Sequence, residues 1–205
     1  AEVVSEQEGI KTIYTKVLID ATELGDVAKR CGVKYDIGME SRHQTQEDIA
    51  PEKENNILQD LTYVAVLKDY GKDVTIPQPA NYNPAEFACA CASPVCITPK
   101  EPDRVWSKDM MITYGRLPNH KYMINWPIEG NDFYANIIEL SETERKAVLE
   151  QAKQRTLRFL YFIQKELGFN TLSLADDEFP TADKLPLIPY HRESRRIHGL
   201  VRFTL

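Results

Sequence analysis

Residues 142–167, ETERKAVLEQAKQRTLRFLYFIQKEL, run without a glycine or a proline. That run constrains the fold more than any other. Ser141 ahead of it is a natural N-cap, and Glu144 three residues later completes a capping box, in which each side chain accepts the other residue's orphan backbone N–H. Val148, Ala152, Leu160, Ile163 and Leu167 fall near one face. Gly168 stands where a glycine with positive φ ends a helix. The spacing predicts one helix of about seven turns. A helix with one apolar stripe must bury it against another layer, so the rest of the chain has to supply that layer.

The candidates are strands. EVVS (2–5) and KTIYTKVLI (11–19) read as two, with Gly9 in the turn between them. LTYVAVLKDY (61–70) is β-branched, aromatic and alternating. DMMITYGRLP and KYMINWPIEG (109–130) read as two strands joined through LPNH. NDFYANIIEL begins as loop and ends as strand or helix. The closing IHGLVRFTL reads as a last strand. DATELGDVAKRCG carries a short helix that stops at Gly32. Residues 36–56 are polar and irregular, an exposed excursion. Residues 75–105 hold half of the twelve prolines, and only a turn of helix at NPAEFACA is expected there. Strands mostly joined by short connections, with one long helix, make the expected class α+β. The expected architecture is a mixed, largely antiparallel sheet with that helix packed on it.

The net charge of −6 and pI near 5.3 argue against a general nucleic-acid binder, whose affinity comes from basic residues on phosphates. No apolar run has the length of a membrane span. The four cysteines are too few for a disulfide scaffold. CACASPVC places Cys89, Cys91 and Cys96 close together. It lacks CxxC pairs, and His43, His120, His191 and His198 show no ligand spacing, so no metal site is expected. The cluster reads as buried free thiols or as a Cys89–Cys96 bridge. No order of residues typical of a serine hydrolase or a zinc protease is present.

Two polar stretches stand out. In IDATELGD, Asp20 and Thr22 are able to cap the helix that follows, and Gly25 permits a tight turn. Alternatively the turn lies against a cofactor, with Gly25 allowing close approach and Asp26 accepting from a sugar-like hydroxyl. In HRESRR, residues 191–196, the plain reading is a solvated turn with internal Arg–Glu pairs. The functional reading is a set of donor forks that orient an anionic or polar ligand, with Glu193 steadying one arginine and Ser194 donating.

VLIDATELGDVAKRCGV resembles the strand–turn–helix that follows the β-meander in FAD-dependent oxidoreductases of the glutathione-reductase-like superfamily. The group it is most similar to reads IDATGDGD there. Asp20, Ala21, Thr22, Gly25 and Asp26 match, whereas Glu23 and Leu24 depart. HRESRRIHG is similar to the RESRRIxG signature of the same group through Arg192, Glu193, Ser194, Arg195, Arg196, Ile197 and Gly199. The resemblance implies FAD contacts at Asp20, Thr22, Gly25 and Asp26. It places His191, Arg192, Glu193, Ser194 and Arg195 near the substrate or the flavin, and it names no catalytic residue.

None of the nine glycines is separated from another by a single residue. The GxGxxG turn that cradles a pyrophosphate is therefore missing. Under the resemblance, residues 1–35 are a remnant of an FAD-binding domain, 36–190 a substrate-binding domain, and 191–205 a segment returning to the first. The chain then reads as the middle of a longer enzyme. Its expected partners are the FAD-binding domain of the same polypeptide and a small organic substrate, with no nucleic acid and no membrane. FAD is not expected to stay on this chain alone. The alternative is a non-catalytic carbohydrate-binding or interaction module, for which Tyr114, Tyr122, Trp126, Phe133 and Tyr134 would stack on sugar rings. Gln59, Asn125, Trp126, Asn131 and Asp132 read first as strand-end or turn residues and second as cavity lining.

Overall fold

The computed structural model describes residues 2–5 and 7–201. In chain order the elements are β1 (Glu2–Ser5), β2 (Gly9–Thr12), α1 (Asp26–Arg30), β3 (Tyr35–Asp36), α2 (Arg42–Thr45), β4 (Leu61–Thr62) and β5 (Ala65–Asp69). There follow α3 (Lys108–Tyr114), β6 (Arg116–Leu117), β7 (Lys121–Ile124), β8 (Asp132–Phe133), α4 (Glu142–Lys165), β9 (Leu172–Leu174) and β10 (Arg196–Ile197). The class is α+β, as expected, with small antiparallel sheets and one long helix.

The capping box opens α4 as the sequence requires. Ser141 Oγ accepts from the Glu144 N–H, and Glu144 Oε2 accepts from the Ser141 N–H at 2.9 Å. Past the last turn, Gly168 takes φ +82° and lets Phe169 N–H donate back to Ile163 O. Ala152, Thr156, Phe159, Leu160 and Ile163 form the buried stripe. They pack on a four-stranded sheet of order β6-β7-β5-β9 through Ala65, Leu67 and Ile124. Leu67 and Phe162 are wholly enclosed. Gln164 is buried in the same layer, with its amide donating to Val74 O and Leu172 O and accepting from Ile76 N–H. That satisfaction lets a polar side chain sit in the core without a desolvation penalty.

The sheet departs from the expected strands in four places. The first is the run 61–70, which divides into β4 and β5 in separate sheets. The break falls at Tyr63, whose carbonyl accepts from the Asn131 amide and from Thr156 Oγ1. Side chains there take the acceptor that a continuous ladder would use. β4 pairs instead with β8, and Thr62 bridges Tyr190. Second, residues 108–114 are helix, not strand. Ser107 caps α3 by accepting from Met110 N–H, and Met111 and Ile112 are its buried residues. Only β6 and β7 form the hairpin. Third, the strand expected over 11–19 ends at Thr12, and β2 pairs with β1 alone. Ile13, Tyr14, Val17, Leu18 and Ile19 are exposed, Tyr14 at 93% and Ile19 at 81%. Fourth, the closing strand is reduced to β10, which pairs with β3. Residues 198–201 form no strand, and 202–205 lie outside the described residues. The excursion 36–56 is closed on itself by a Met39–Asn55 bridge and carries the short α2.

Candidate functional site

The two polar stretches singled out in the sequence meet. Gly25 holds φ +68° at the start of α1, and a Cβ built on it would lie 3.7 Å from the Cβ of Arg195. Asp26, the first residue of α1, accepts from Arg195 Nη1 at 2.7 Å across 169 residues of sequence. Arg145, reaching back from the first turns of α4, donates to the other oxygen of Asp26 at 2.8 Å. Glu139, just before α4, accepts from Arg195 Nε and Nη2, from Lys29 Nζ and from the Tyr35 hydroxyl.

Arg195 is the centre of this junction. Its side chain is 1% exposed. All five of its N–H groups are engaged: Nε with Glu139, Nη1 with Asp26 and Leu24 O, Nη2 with Glu139 and Ile138 O. The plane of the guanidinium also lies 5.2 Å from the Tyr35 ring centroid. A planar fork buried among two carboxylates and two carbonyls is the geometry in which an arginine is stabilised without water. No donor is left to face a ligand, so Arg195 can influence one only by holding Asp26 and Glu139 in place. The arginines in turn hold the Asp26 carboxyl down to about 2, through the Arg145 hydrogen bond first.

Asp20 and Thr22 serve α1. Asp20 Oδ2 accepts from Ala28 N–H and Oδ1 from Thr22 N–H and Oγ1, while Thr22 Oγ1 accepts from Asp26 N–H. The Asp20 carboxyl is thereby lowered, chiefly by the Thr22 hydroxyl. The first turn of α1 is thus capped by the protein itself, through Asp20 and Thr22. With Asp20, Glu23 and Asp26 nearby, this turn does not fit a phosphate. The oxygen acceptors of Asp20 and Asp26 fit only a hydroxyl-bearing part of a nucleotide cofactor. No element among the described residues forms a pyrophosphate cradle.

The neighbours of Arg195 have different surroundings. Glu193 does not hold an arginine. Its Oε2 accepts from Gln59 N–H at 2.7 Å and fixes the approach to β4. Ser194 is half-buried and its hydroxyl has no hydrogen-bond partner among the described residues. Arg196 turns the other way, to Glu40 at 2.7 Å. His191 is half-buried, and burial lowers its pKa, with Arg145 acting in the same direction and Glu23 against it. Arg192 is exposed, lies 5.6 Å over the Tyr190 ring and makes no ion pair among the described residues.

Sequence reasoning missed Glu139 and Arg145. Neither lies in a motif, and their role depends on the chain bringing α1 and residues 191–196 to the foot of α4. Asn131, read first as a turn residue, is a pin. It is fully buried, accepts from Trp126 N–H and donates to Tyr63 O and Ile124 O. Asp132 bonds Thr62 Oγ1, and burial raises its carboxyl pKa. Cys89 and Cys96 form a disulfide with Cα atoms 4.6 Å apart. Cys91 is a buried free thiol that burial pushes up to about 11, which keeps it protonated and unreactive at neutral pH. Among the described residues no three His, Cys, Asp or Glu side chains are grouped to hold a metal, and no helix is long and apolar enough to cross a membrane.

A family model described as FAD dependent oxidoreductase matches residues 1–205. No curated protein and no solved structure matches the chain.

Proposed function

This chain belongs to the FAD dependent oxidoreductase family, and from that premise we propose that it supplies the substrate-binding part of such an enzyme. FAD is the cofactor of the family, and the enzyme is an oxidoreductase acting on a small organic substrate. Residues 36–190 form the substrate-binding body. Residues 1–35 and 191–205 lead to an FAD-binding domain of the same polypeptide.

The observation that carries this reading is the junction together with what leaves it. Asp26 and Arg195 lock the two motif segments side by side. The chain leading to and from that lock presents apolar side chains to solvent: Tyr14, Val17 and Ile19 on one side, Leu200 and Val201 on the other. Large apolar side chains left open to solvent outside any strand mark a surface that another body covers. A flavin domain adding its sheet to these segments is the body the family supplies. His191 and Arg192, at the edge of the junction, are then the side chains nearest to both domains, and flavin chemistry needs such groups to bind and orient the substrate.

The aromatic run behind the carbohydrate-module alternative divides. Trp126 is 5% exposed, and Tyr122 and Phe133 pack on the core. Tyr114 and Tyr134 alone of the five are open to solvent.

The test is a visible spectrum. Chain 1–205 purified alone should be colourless. The same residues expressed within a polypeptide that includes a GxGxxG-bearing domain should hold one flavin per chain. Stoichiometric flavin on residues 1–205 alone would overturn the division of labour proposed here.

A further inference from the structure

One cavity, of about 260 Å3, is lined by Arg104, Trp106, Tyr114, Asn125, Trp126 and Arg192 among others. It lies where the segment before α3, the end of β7 and the HRESRR stretch come together. Two features make it more than a surface crease. Trp106, Tyr114 and Trp126 meet edge to face, with centroids 5.4 to 6.0 Å apart. Trp126 is anchored below by its indole N–H on Ala90 O at 2.7 Å, while Trp106 and Tyr114 stay 41% and 61% exposed. The rings are therefore held in place while two of them stay open to solvent. Two arginines line it: Arg104, which pairs with Glu101 at 2.6 Å, and Arg192, which is without an ion pair among the described residues.

These features define a complementary molecule. An uncovered aromatic face takes a flat or CH-bearing ring. An arginine without an ion pair takes a carboxylate. The volume, just below the ~300 Å3 at which pockets for larger ligands begin, suits a molecule of one ring. We propose that this cavity binds a monocyclic acid, with its ring on Trp106 and Tyr114 and its carboxylate on Arg192. The proposal deepens the oxidoreductase reading by naming a substrate class. It rests on that reading for the reaction but not for the binding.

The chain has two tryptophans, and both line this cavity, so intrinsic fluorescence reports on it directly. Chain 1–205 is titrated with glucuronate and, by calorimetry, with 4-hydroxybenzoate, which separates a sugar acid from an aromatic acid. Glucose and 4-hydroxybenzyl alcohol are the uncharged counterparts. At least one acid should bind saturably at millimolar concentration or below, and its uncharged counterpart about tenfold or more weaker. Arg192→Gln should erase that difference. Tyr114→Ala should weaken acid and neutral ring alike. Circular dichroism of both variants confirms folding, since both side chains are exposed. Absence of saturable binding by either acid would overturn the proposal, as would equal affinity for acid and neutral ring, or unchanged acid affinity in Arg192→Gln. None of these measurements involves flavin. A failure here leaves the visible-spectrum test of the family role standing, and a failure there leaves this one standing.

Discussion

Arg195 and Arg192 sit three residues apart in one motif and are opposites. Arg195 is enclosed, with every N–H matched by a carboxylate or a carbonyl. Arg192 is exposed, makes no ion pair among the described residues and lines a cavity with exposed aromatic rings. The same residue type therefore builds structure in one place and recognition in the other. What separates the two is whether the protein itself satisfies the donors. A saturated buried guanidinium holds the fold together and has nothing left for a ligand. An open one at a cavity rim adds little to stability and has its donors free.

The largest expected effect breaks the first half of that contrast. Arg195→Met should cost roughly 3–5 kcal/mol, because it leaves Asp26 and Glu139 without their shared partner and the Leu24 carbonyl without this donor. A shift of that size in the midpoint of a denaturant melt checks it. Arg192→Ala should leave the midpoint within about 0.5 kcal/mol. Its effect belongs to turnover. In the polypeptide that holds flavin, loss of an orienting contact on the substrate should lower the rate of flavin reduction on the order of a hundredfold. Comparable destabilisation by both substitutions would erase the distinction.

Acid should loosen the Arg195 junction before it touches the cavity. Asp26 titrates at about 2 in the fold against an ordinary 3.8. A depressed carboxylate stabilises the fold above its unfolded value and ceases to do so as pH falls through its folded value. The contribution is therefore complete above roughly pH 5 and disappears between about pH 4 and pH 2. Solvent at this partly exposed group screens it, leaving ~1 kcal/mol. Asp26→Asn should remove that increment at neutral pH and flatten the pH dependence of the melt in the same window. An Asp26→Asn melt with the wild-type slope would assign the acid sensitivity elsewhere.

How far the sequence reveals each region follows from the range of the interactions involved. α4 is legible because its signals are local: a capping box within four residues and an apolar stripe at helical spacing. α3 is misread as a strand because DMMITY is a short apolar run with a β-branched residue, for which periodicity does not separate strand from helix. The Ser107 cap decides it. The break at Tyr63 is invisible locally, since it depends on Asn131 and Thr156 far along the chain. The two motif segments are recognisable, but their pairing through Asp26 and Arg195 is not. Nothing in either stretch indicates that Glu139 and Arg145 will complete the junction. The cysteines leave free thiols and a Cys89–Cys96 bridge equally open, and the loop geometry brings those two together while burying Cys91.

The smallest expected effect is also the sharpest check on the criterion. Arg196 follows Arg195 directly and faces the other way, as neighbours on an extended segment do. Its ion pair with Glu40 is as short as the Asp26–Arg195 contact, 2.7 Å in both. Distance alone would rank the two equally. Exposure does not: the Arg196 side chain is 38% exposed and that of Arg195 1%. Nη2 itself is covered and makes no well-directed hydrogen bond, but an ion pair on a side chain that stays partly in water recovers little over its hydrated parts and is worth roughly 0–1 kcal/mol. Arg196→Ala should therefore shift the denaturant midpoint by less than about 1 kcal/mol, and it should leave ring-acid binding untouched because the side chain points away from the cavity. Raising the salt concentration in the melt should shrink even that shift, since exposed pairs are screened and enclosed ones are not. If Arg196→Ala instead costs as much as Arg195→Met and the loss persists in high salt, burial and donor saturation are not what separates structural from binding arginines in this chain. The assignment of Arg192 to the cavity would then lose its physical basis as well.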